Sequence, residues 1–437
     1  MTTEQASRGT VRCTEQEAQA NLLAVLQLCA AGKLRCSQKT HRPGAATVAA
    51  VAEILQDGDF YSADPIAAFA WPLLLQAGGL AELASGKLAL TTRGRPALTK
   101  PPHDTLRLLW QRWLNRAVLD EFSRVEEIKG QRAAAVLSAA GPRRKTVGEA
   151  LAACAPGQWT QVDDLFAAMR KSGFDFTIAR SDRALWKLYL QDPQYGSLGY
   201  DGFHDWPLLQ GRYTLAVLFE YAATLGLIDI EYVPPVGARE DYRDNWGGDD
   251  LDQLSRYDGL LALRLNPLGG YATGRTPAYF PAPAPVDTDC RGIKVLPNFD
   301  IVALDGLRPA DALLLDAFAD KTSDRVWTLS ATSLLSALDT KHTLKELRYY
   351  LAQASSQPLP QTVTTLLDDT ERRLGKVRDT GPVHLIECAD EALATLLAGD
   401  RRLRALCTRL GERQLAVPAE KLPAFRKALL AQGYPLA

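Results

Sequence analysis

The chain has 437 residues, with 50 Lys or Arg against 51 Asp or Glu and a formal net charge of -1. Its 46% hydrophobic, 23% charged and 8% aromatic content is that of a folded globular protein and excludes a wholly disordered or fibrous chain. The length exceeds one compact core, so two or three domains are expected; the even balance excludes a polycation but not a local basic face.

Seven cysteines, at 13, 29, 36, 154, 290, 388 and 407, form no CxxC pair. An odd, scattered set points away from a disulfide framework and toward a reducing cytoplasm. The opening MTTEQASRGTVRC lacks a signal peptide's basic start and apolar core, and no stretch offers 18 apolar residues in a row, so a cytoplasmic protein without a membrane partner is expected. Abundant Ala, Leu and Arg beside two Met match a GC-rich bacterial genome.

In chain order, Leu22, Leu23, Val25, Leu26 and Leu28 lie at helical spacing in a helix over 15–30. The polar run from Ser37 to Gly44 carries Lys39, His41 and Arg42, after which Thr47 is placed to cap a helix through Val51, Ile54 and Leu55. A third helix starts after Asp64-Pro65 and ends at Gly78-Gly79. A hairpin follows, Leu80 to Leu83 and Lys87 to Leu90 around Ala-Ser-Gly. Leu106, Leu109, Trp110, Trp113 and Leu114 begin a long helix expected to continue through Ile128.

The order of helices then hairpin recurs. Leu215 to Leu225 is an apolar helix, and strands over 227–232 and 259–265 flank an acidic, Pro-led insertion from Val233 to Asp258. Helices followed by a hairpin are the order of a winged helix. The expectation is therefore an α+β chain of two winged-helix-like, mainly helical units, 1–144 and 145–275, the second with the insertion 233–258. A Pro-rich linker over 276–291 leads to an α/β domain over 292–437, where strand and helix patterns alternate.

The C-terminal motifs carry a resemblance. Leu296-Pro-Asn-Phe-Asp-Ile-Val, Leu329-Ser-Ala-Thr-Ser-Leu-Leu-Ser-Ala-Leu-Asp, Gln357-Pro-Leu-Pro-Gln-Thr-Val with Arg372-Arg-Leu-Gly-Lys-Val-Arg, and the ending Ala431-Gln-Gly-Tyr-Pro stand in order. This last third resembles the accessory domain at the N-terminus of XPB-type helicases and in bacterial helicase-associated proteins. The resemblance implies a nucleic-acid-processing context. No GxxxxGK[ST] occurs: Ala31-Gly-Lys-Leu, Ser85-Gly-Lys-Leu and Leu374-Gly-Lys-Val lack the glycine spacing and hydroxyl that phosphate and magnesium require. No motor is expected in this chain, and a separate helicase, ATPase or nuclease subunit would supply one.

Charge is segregated along the chain. Residues 87–145 hold 13 Lys or Arg against 5 Asp or Glu, and residues 231–258 hold 3 against 8. Arg93, Arg95 and Lys100 follow the first hairpin, and Arg143, Arg144 and Lys145 sit at a Gly-Pro break from which side chains reach phosphate. Lys39 and Arg42 are placed to meet phosphates at a helix N-terminus. These eight are the candidate contacts to double-stranded DNA, with solvated helix faces as the alternative. In the insertion, Tyr242, Trp246, Asp249 and Asp250 combine rings with carboxylates, a mixture suited to a protein partner or simply to a solvated loop.

Signals for catalysis are weaker. Asp120, Glu121, Glu126, Glu127 and Lys129 loosely resemble a nuclease's carboxylates but fall on an expected helix, and Cys29, Cys36 and His41 match no standard zinc spacing. A non-enzymatic DNA-binding accessory protein with no cofactor is expected, with phage defence or repair as possible settings. The alternative is a scaffold that recruits a helicase without touching DNA.

Overall fold

The computed structural model describes residues 9–116, 118–132, 135–200, 205–281, 292–304, 307–340, 342–355, 357–377, 379 and 381–436. Of the features above, Cys290, Arg378 and residues 282–291 of the Pro-rich stretch lie outside them. The chain forms two units that meet at Asp368 and Asp369. It is α+β throughout, with its sheets small and antiparallel.

The first unit opens with strand β1 (Thr10–Arg12), helices α1 (Thr14–Ala30), α2 (Ala45–Ala52) and α3 (Ala67–Ala77), and the hairpin of β2 (Ala81–Ala84) and β3 (Lys87–Leu90). Residues 34–36 lie along β3 on the side away from β2, through Leu88 N–H to Leu34 O at 2.9 Å and Cys36 N–H to Gly86 O at 3.1 Å. After α4 (Pro102–Trp113) the same order returns. Helix α5 (Ala140–Ala153), strand β4 (Trp159–Gln161), helix α6 (Val162–Lys171) and a short helix α7 (Asp182–Leu185) precede α8 (Arg212–Ala216), which π-helical Pro207–Gly211 and Val217–Ala223 extend at both ends. Strands β5 (Ile228–Tyr232) and β6 (Leu260–Leu265) follow, then α9 (Pro267–Ala272). Here too the last strand is central: β6 pairs with β5 on one side and β4 on the other, and β1 adds to the far edge of β5.

The boundary expected near residue 145 is absent. One continuous apolar core runs from Ala18 to Ala272. The reason lies in α3, apolar on every side, and in the mainly apolar helix over 207–223, whose charges Arg212 and Glu220 are paired with Asp258 and Arg124; both helices must be covered all round. Ten of the eleven α3 residues are buried, as are all residues of 208–223, and α3 packs against the 217–223 stretch. Phe219 meets Phe60 and Tyr61 just ahead of α3 at 5.1 and 5.8 Å.

Three further expectations are corrected. Helix α4 stops at Trp113 instead of running to Ile128, because the carbonyls of Trp113, Arg116 and Leu119 turn to the Arg144 guanidinium and Asp120 then caps a separate short turn, Glu121–Arg124. The helix α5 runs straight through Gly141-Pro142, since a proline in a first turn forfeits only an N–H that has no helical partner. Thr47 does not cap α2; it is buried, and its Oγ1 bridges the Arg35 N–H and carbonyl at 2.8 Å each.

Further along the chain, β7 (Ile293–Val295), β8 (Asp300–Ala303), α10 (Pro309–Phe318), β9 (Asp320–Ser323), β10 (Val326–Thr328), α11 (Ala331–Asp339), α12 (Leu344–Ala354) and α13 (Gln361–Arg373) surround a second core around Ile301, Leu315, Phe318 and Leu347. Ser330 caps α11 in a reciprocal box with Ser333, and Thr343 caps α12. The second unit has its own core around Leu397, Leu415 and Phe425, formed by β11 (Val383–Glu387), α14 (Glu391–Gly399), β12 (Thr408–Arg409), β13 (Gln414–Pro418) and α15 (Leu422–Ala431). The region read as one domain over 292–437 thus has two cores.

Candidate nucleic-acid interface

The basic turn after α1 is fastened by its backbone and by one side chain. Ser37 N–H donates to Arg42 O at 2.9 Å and His41 N–H to Ser37 O at 2.8 Å. His41 has φ +58°, a left-handed conformation that side chains other than glycine rarely adopt. Gln76 of α3 holds it there: its Nε2 donates to His41 O and Pro72 O, both at 3.0 Å, and its Oε1 lies 3.2 Å from His41 Nδ1. Lys39 is exposed, and Arg42 donates from Nη2 to Ser123 Oγ at 2.6 Å.

Opposite this turn stands the loop over 118–132. Lys129 N–H donates to Tyr189 O at 2.8 Å, pinning the loop to a distant segment. Gly130 has φ +83°, and a Cβ there would lie 1.7 Å from Lys187 O, so only glycine fits. Gln131 Nε2 closes the bend on Val125 O and Ile128 O at 2.8 and 2.6 Å. Between turn and loop lies a cavity of about 1010 Å³. Lys39, Arg42, Lys129 and Arg132 line it, with Val118 and Leu119 as apolar surface and buried Val125 and Ile128 behind them.

The charge of this cavity is positive once pairing is counted. Its two carboxylates are engaged elsewhere, Asp120 by Arg143 and Glu126 by Arg256. Lys129 is paired with Glu127 at 3.2 Å. Among the described residues, Lys39 and Arg132 meet no carboxylate, and Arg42 has only the serine hydroxyl. Burial, with the neighbouring guanidiniums of Arg124 and Arg132 against the opposing Glu220 carboxylate, pushes the Arg42 pKa below its ordinary value. A bound anion would favour its charged form.

A second cavity of about 440 Å³ shares Val118 with the first and is lined by His41, Gln76, Gly79, Thr91 and Arg116. A Cβ at Gly79 would stand 3.1, 3.8 and 3.9 Å from Nη1 of Arg112, Arg93 and Arg116, so three guanidiniums converge beside this glycine. Arg112 is anchored, donating to Gly78 O at 2.8 Å.

The structure separates the eight candidate DNA contacts. Lys39 and Arg42 share the larger cavity, and Arg93 belongs to the guanidinium cluster at Gly79. Arg95 is half-buried, with its charge near Cys29. Lys100 and Lys145 are exposed and line neither cavity. Arg143 and Arg144 are corrections: they are 1% and 0% exposed and turn inward from α5. Arg143 pairs with Asp120 over the Tyr213 ring. Arg144 donates to Glu121 from Nε at 2.8 Å, to the carbonyls of Trp113, Arg116 and Leu119 at 2.9, 2.7 and 2.8 Å, and lies over the Trp113 ring. Neither guanidinium is available to phosphate.

The insertion 233–258 is no free loop. Arg212, fully buried, pairs with Asp241 at 2.9 Å and Asp258 at 3.0 Å, and Tyr257 donates to Glu220. Tyr242 is a further correction: it is fully buried, donating to Leu251 O at 3.1 Å, and offers nothing to a partner. Trp246 is 54% exposed, 5.5 Å from the ring of exposed Tyr195, and Asp249 and Asp250 are exposed beside it. The nuclease-like carboxylates are each in an ion pair, Asp120 and Glu121 with the two buried arginines, Glu126 with Arg256, Glu127 with Lys129. Cys29 and Cys36 are buried, which pushes their thiols up to about 12 and about 11, and His41 faces Gln76.

Arg112, Arg116, Lys129 and Arg132 were not among the sequence candidates for phosphate contact. The signal was their membership in the basic 87–145 stretch; Lys129 and Arg132 are set by the loop that Lys129 N–H pins to Tyr189 O, sixty positions away, and Arg112 and Arg116 by their convergence at Gly79.

Residues 295–411 match the family described as the helicase conserved C-terminal domain. This portion of the chain is similar to a helicase-associated C-terminal domain, and the match spans most of the second core and part of the third. No curated protein sequence matches the chain. Among the described residues, no helix is long and apolar enough to cross a membrane.

Proposed function

We propose that this protein is a non-enzymatic accessory factor of a helicase or nuclease system, engaging nucleic acid through phosphate contacts while a separate chain supplies any motor. The observation that carries this reading is the combination, on one chain, of the helicase C-terminal match with the unpaired cations of Lys39, Arg42 and Arg132 around one cavity. The shared order of a helix, an extended pairing segment, further helices and two final strands supports reading residues 14–90 and 140–265 as two winged-helix units. The helices that precede the two strand pairs, α3 and the 207–223 helix, face each other in the core, so the major-groove contact usual for such units is not the mode proposed. Resemblance of the C-terminal part to the XPB-type accessory domain favours a role in loading or positioning a helicase, and phage defence or repair are settings in which such factors serve. The test is a labelled forked DNA titrated at about 50 and about 200 mM salt: affinity should fall steeply with salt, and absence of binding at the lower salt removes the proposal.

A second reading keeps the helicase partner and dispenses with nucleic acid. The exposed pair Trp246 and Tyr195, beside Asp249 and Asp250, is the observation that favours it, because exposed rings with carboxylates suit a basic protein surface. Capture of a helicase subunit that survives nuclease treatment and is lost in Trp246→Ala supports this reading; capture unaffected by that change counts against it.

A further inference from the structure

We infer that the cavity between the turn 37–43 and the loop 118–132 is a single-strand site, taking the backbone of an unpaired DNA or RNA segment. The inference rests on the nucleic-acid reading above and specifies its substrate.

Three observations lead there. The first is concavity. A duplex keeps its bases inside and is read by an element inserted into a groove about 12 Å wide; here the helices that could be inserted, α3 and the 207–223 helix, are buried against each other. What is offered instead is a recess of about 1010 Å³, the upper end of the roughly 300–1,000 Å³ typical of sites that enclose a ligand. A strand with splayed nucleotides enters such a recess, whereas a paired helix does not.

The second is the chemistry of the walls. Lys39 and Arg132 carry exposed charges without a carboxylate partner among the described residues, and Arg42 is held between them and the Ser123 hydroxyl. Half-buried Val118 and Leu119 supply the apolar surface against which a base or sugar sheds water. Cations at the rim with apolar surface within match the alternation of phosphate and base along a single strand.

The third is preorganisation. Both walls are fixed before any ligand arrives, one by the grip of Gln76 on left-handed His41, the other by Gly130 packed against Lys187 O. A site whose donors are already in place loses less entropy on binding.

The experiment compares a labelled single-stranded oligonucleotide, as DNA and as RNA, with a blunt duplex of the same sequence, by fluorescence anisotropy on the full chain. Three unpaired cations acting on a single strand give a slope of log K against log salt near -2, or roughly a twentyfold loss between about 50 and about 200 mM salt. Lys39→Ala with Arg132→Ala, both exposed and with no side-chain hydrogen bond or ion pair among the described residues, should remove about 1.4 from that slope, while Lys171→Ala on the exposed side of α6 should leave it unchanged. DNA and RNA strands binding alike support contact through phosphate and base alone; preference for either, if lost in the double variant, still places a single strand in the cavity. A duplex bound as tightly as the single strand, or single-strand binding untouched by the double variant, overturns the inference and leaves the broader reading standing. Binding of no strand and no duplex overturns the reading itself.

Discussion

Arg144 gives the sharpest test, because its place in the basic Arg-Arg-Lys run and its place in the fold demand opposite results. Replacing it with Met keeps much of its length and removes the charge. The structure then loses a fully buried ion pair with Glu121 and the donors to three main-chain carbonyls. Breaking a buried pair by deleting one member costs about 3–5 kcal/mol. Each stranded carbonyl adds about 1 kcal/mol if water cannot replace the donor, and since these terms are not additive a total near 4–6 kcal/mol is expected. That is a large share of the roughly 5–15 kcal/mol that holds a domain together. Urea unfolding followed by tryptophan fluorescence reads the relevant core directly, since the guanidinium lies over Trp113, which stacks on Trp110 at 5.3 Å. With a urea slope near 3 kcal/mol/M the midpoint should fall by about 1.5–2 M. Adding Glu121→Gln should recover part of the loss by removing the orphaned charge. A variant of unchanged midpoint that has lost nucleic-acid binding would refute the burial argument and return Arg144 to the surface.

Three other outcomes follow from the same geometry. Gly130→Ala forces a Cβ against Lys187 O at a positive φ, so it should destabilise the first core by about 2 kcal/mol or more and weaken single-strand binding; calorimetry and anisotropy check the two parts. Gln76→Ala removes the donors that hold His41 O and Pro72 O; a cost of about 1–3 kcal/mol is expected in urea, with a matching loss of affinity as the turn loosens. Burial pushes the Asp241 carboxyl up, but Arg212 and Arg239 more than offset it and hold its pKa below the ordinary 3.8. The unfolded chain therefore binds the proton first, so Asp241 contributes stability that is present above about pH 4 and lost as pH falls through the lower folded value. Asp241→Asn should flatten that acid limb in a series of melting curves, and an unchanged limb would show that the pair with Arg212 contributes nothing.

What could be read in the sequence was local. The spacing of Leu22, Val25 and Leu26 marks α1, the Ala-Ser-Gly turn marks the first hairpin, and the polar run at Ser37 marks a basic turn that lines the cavity of about 1010 Å³. The fate of Arg143 and Arg144 was not local. Their run looks solvated because the residues that bury them, Asp120 and Glu121, lie twenty-three positions earlier and come alongside only when α5 packs on α4 and its following turn. Tyr242 misled in the same way, since an aromatic in an acidic loop looks exposed until Arg212 draws Asp241 and the chain around it into the core. The burial of α3 was in principle legible. Ala-Ala-Phe-Ala-Trp-Pro-Leu-Leu-Leu-Gln-Ala has no polar face, and its one amide, Gln76, is spent on the basic turn.

That last point constrains function more than any single charge. For α3 to read a groove it would have to leave its cover, exposing Trp71, Leu73, Leu74 and Leu75, each now at most 1% exposed. At about 1.5–3 kcal/mol for each large apolar side chain returned to water, the four alone cost at least about 6 kcal/mol. An opened form would then be populated at no more than about one part in twenty-five thousand, and a ligand would have to offset that whole difference before gaining any affinity. Phosphate contacts at the rim of a preformed cavity need no such opening. The helical core therefore acts as a rigid support: buried α3 fixes the turn through Gln76, and the surface left open for the contact proposed above is the turn, the loop opposite and the guanidiniums at Gly79.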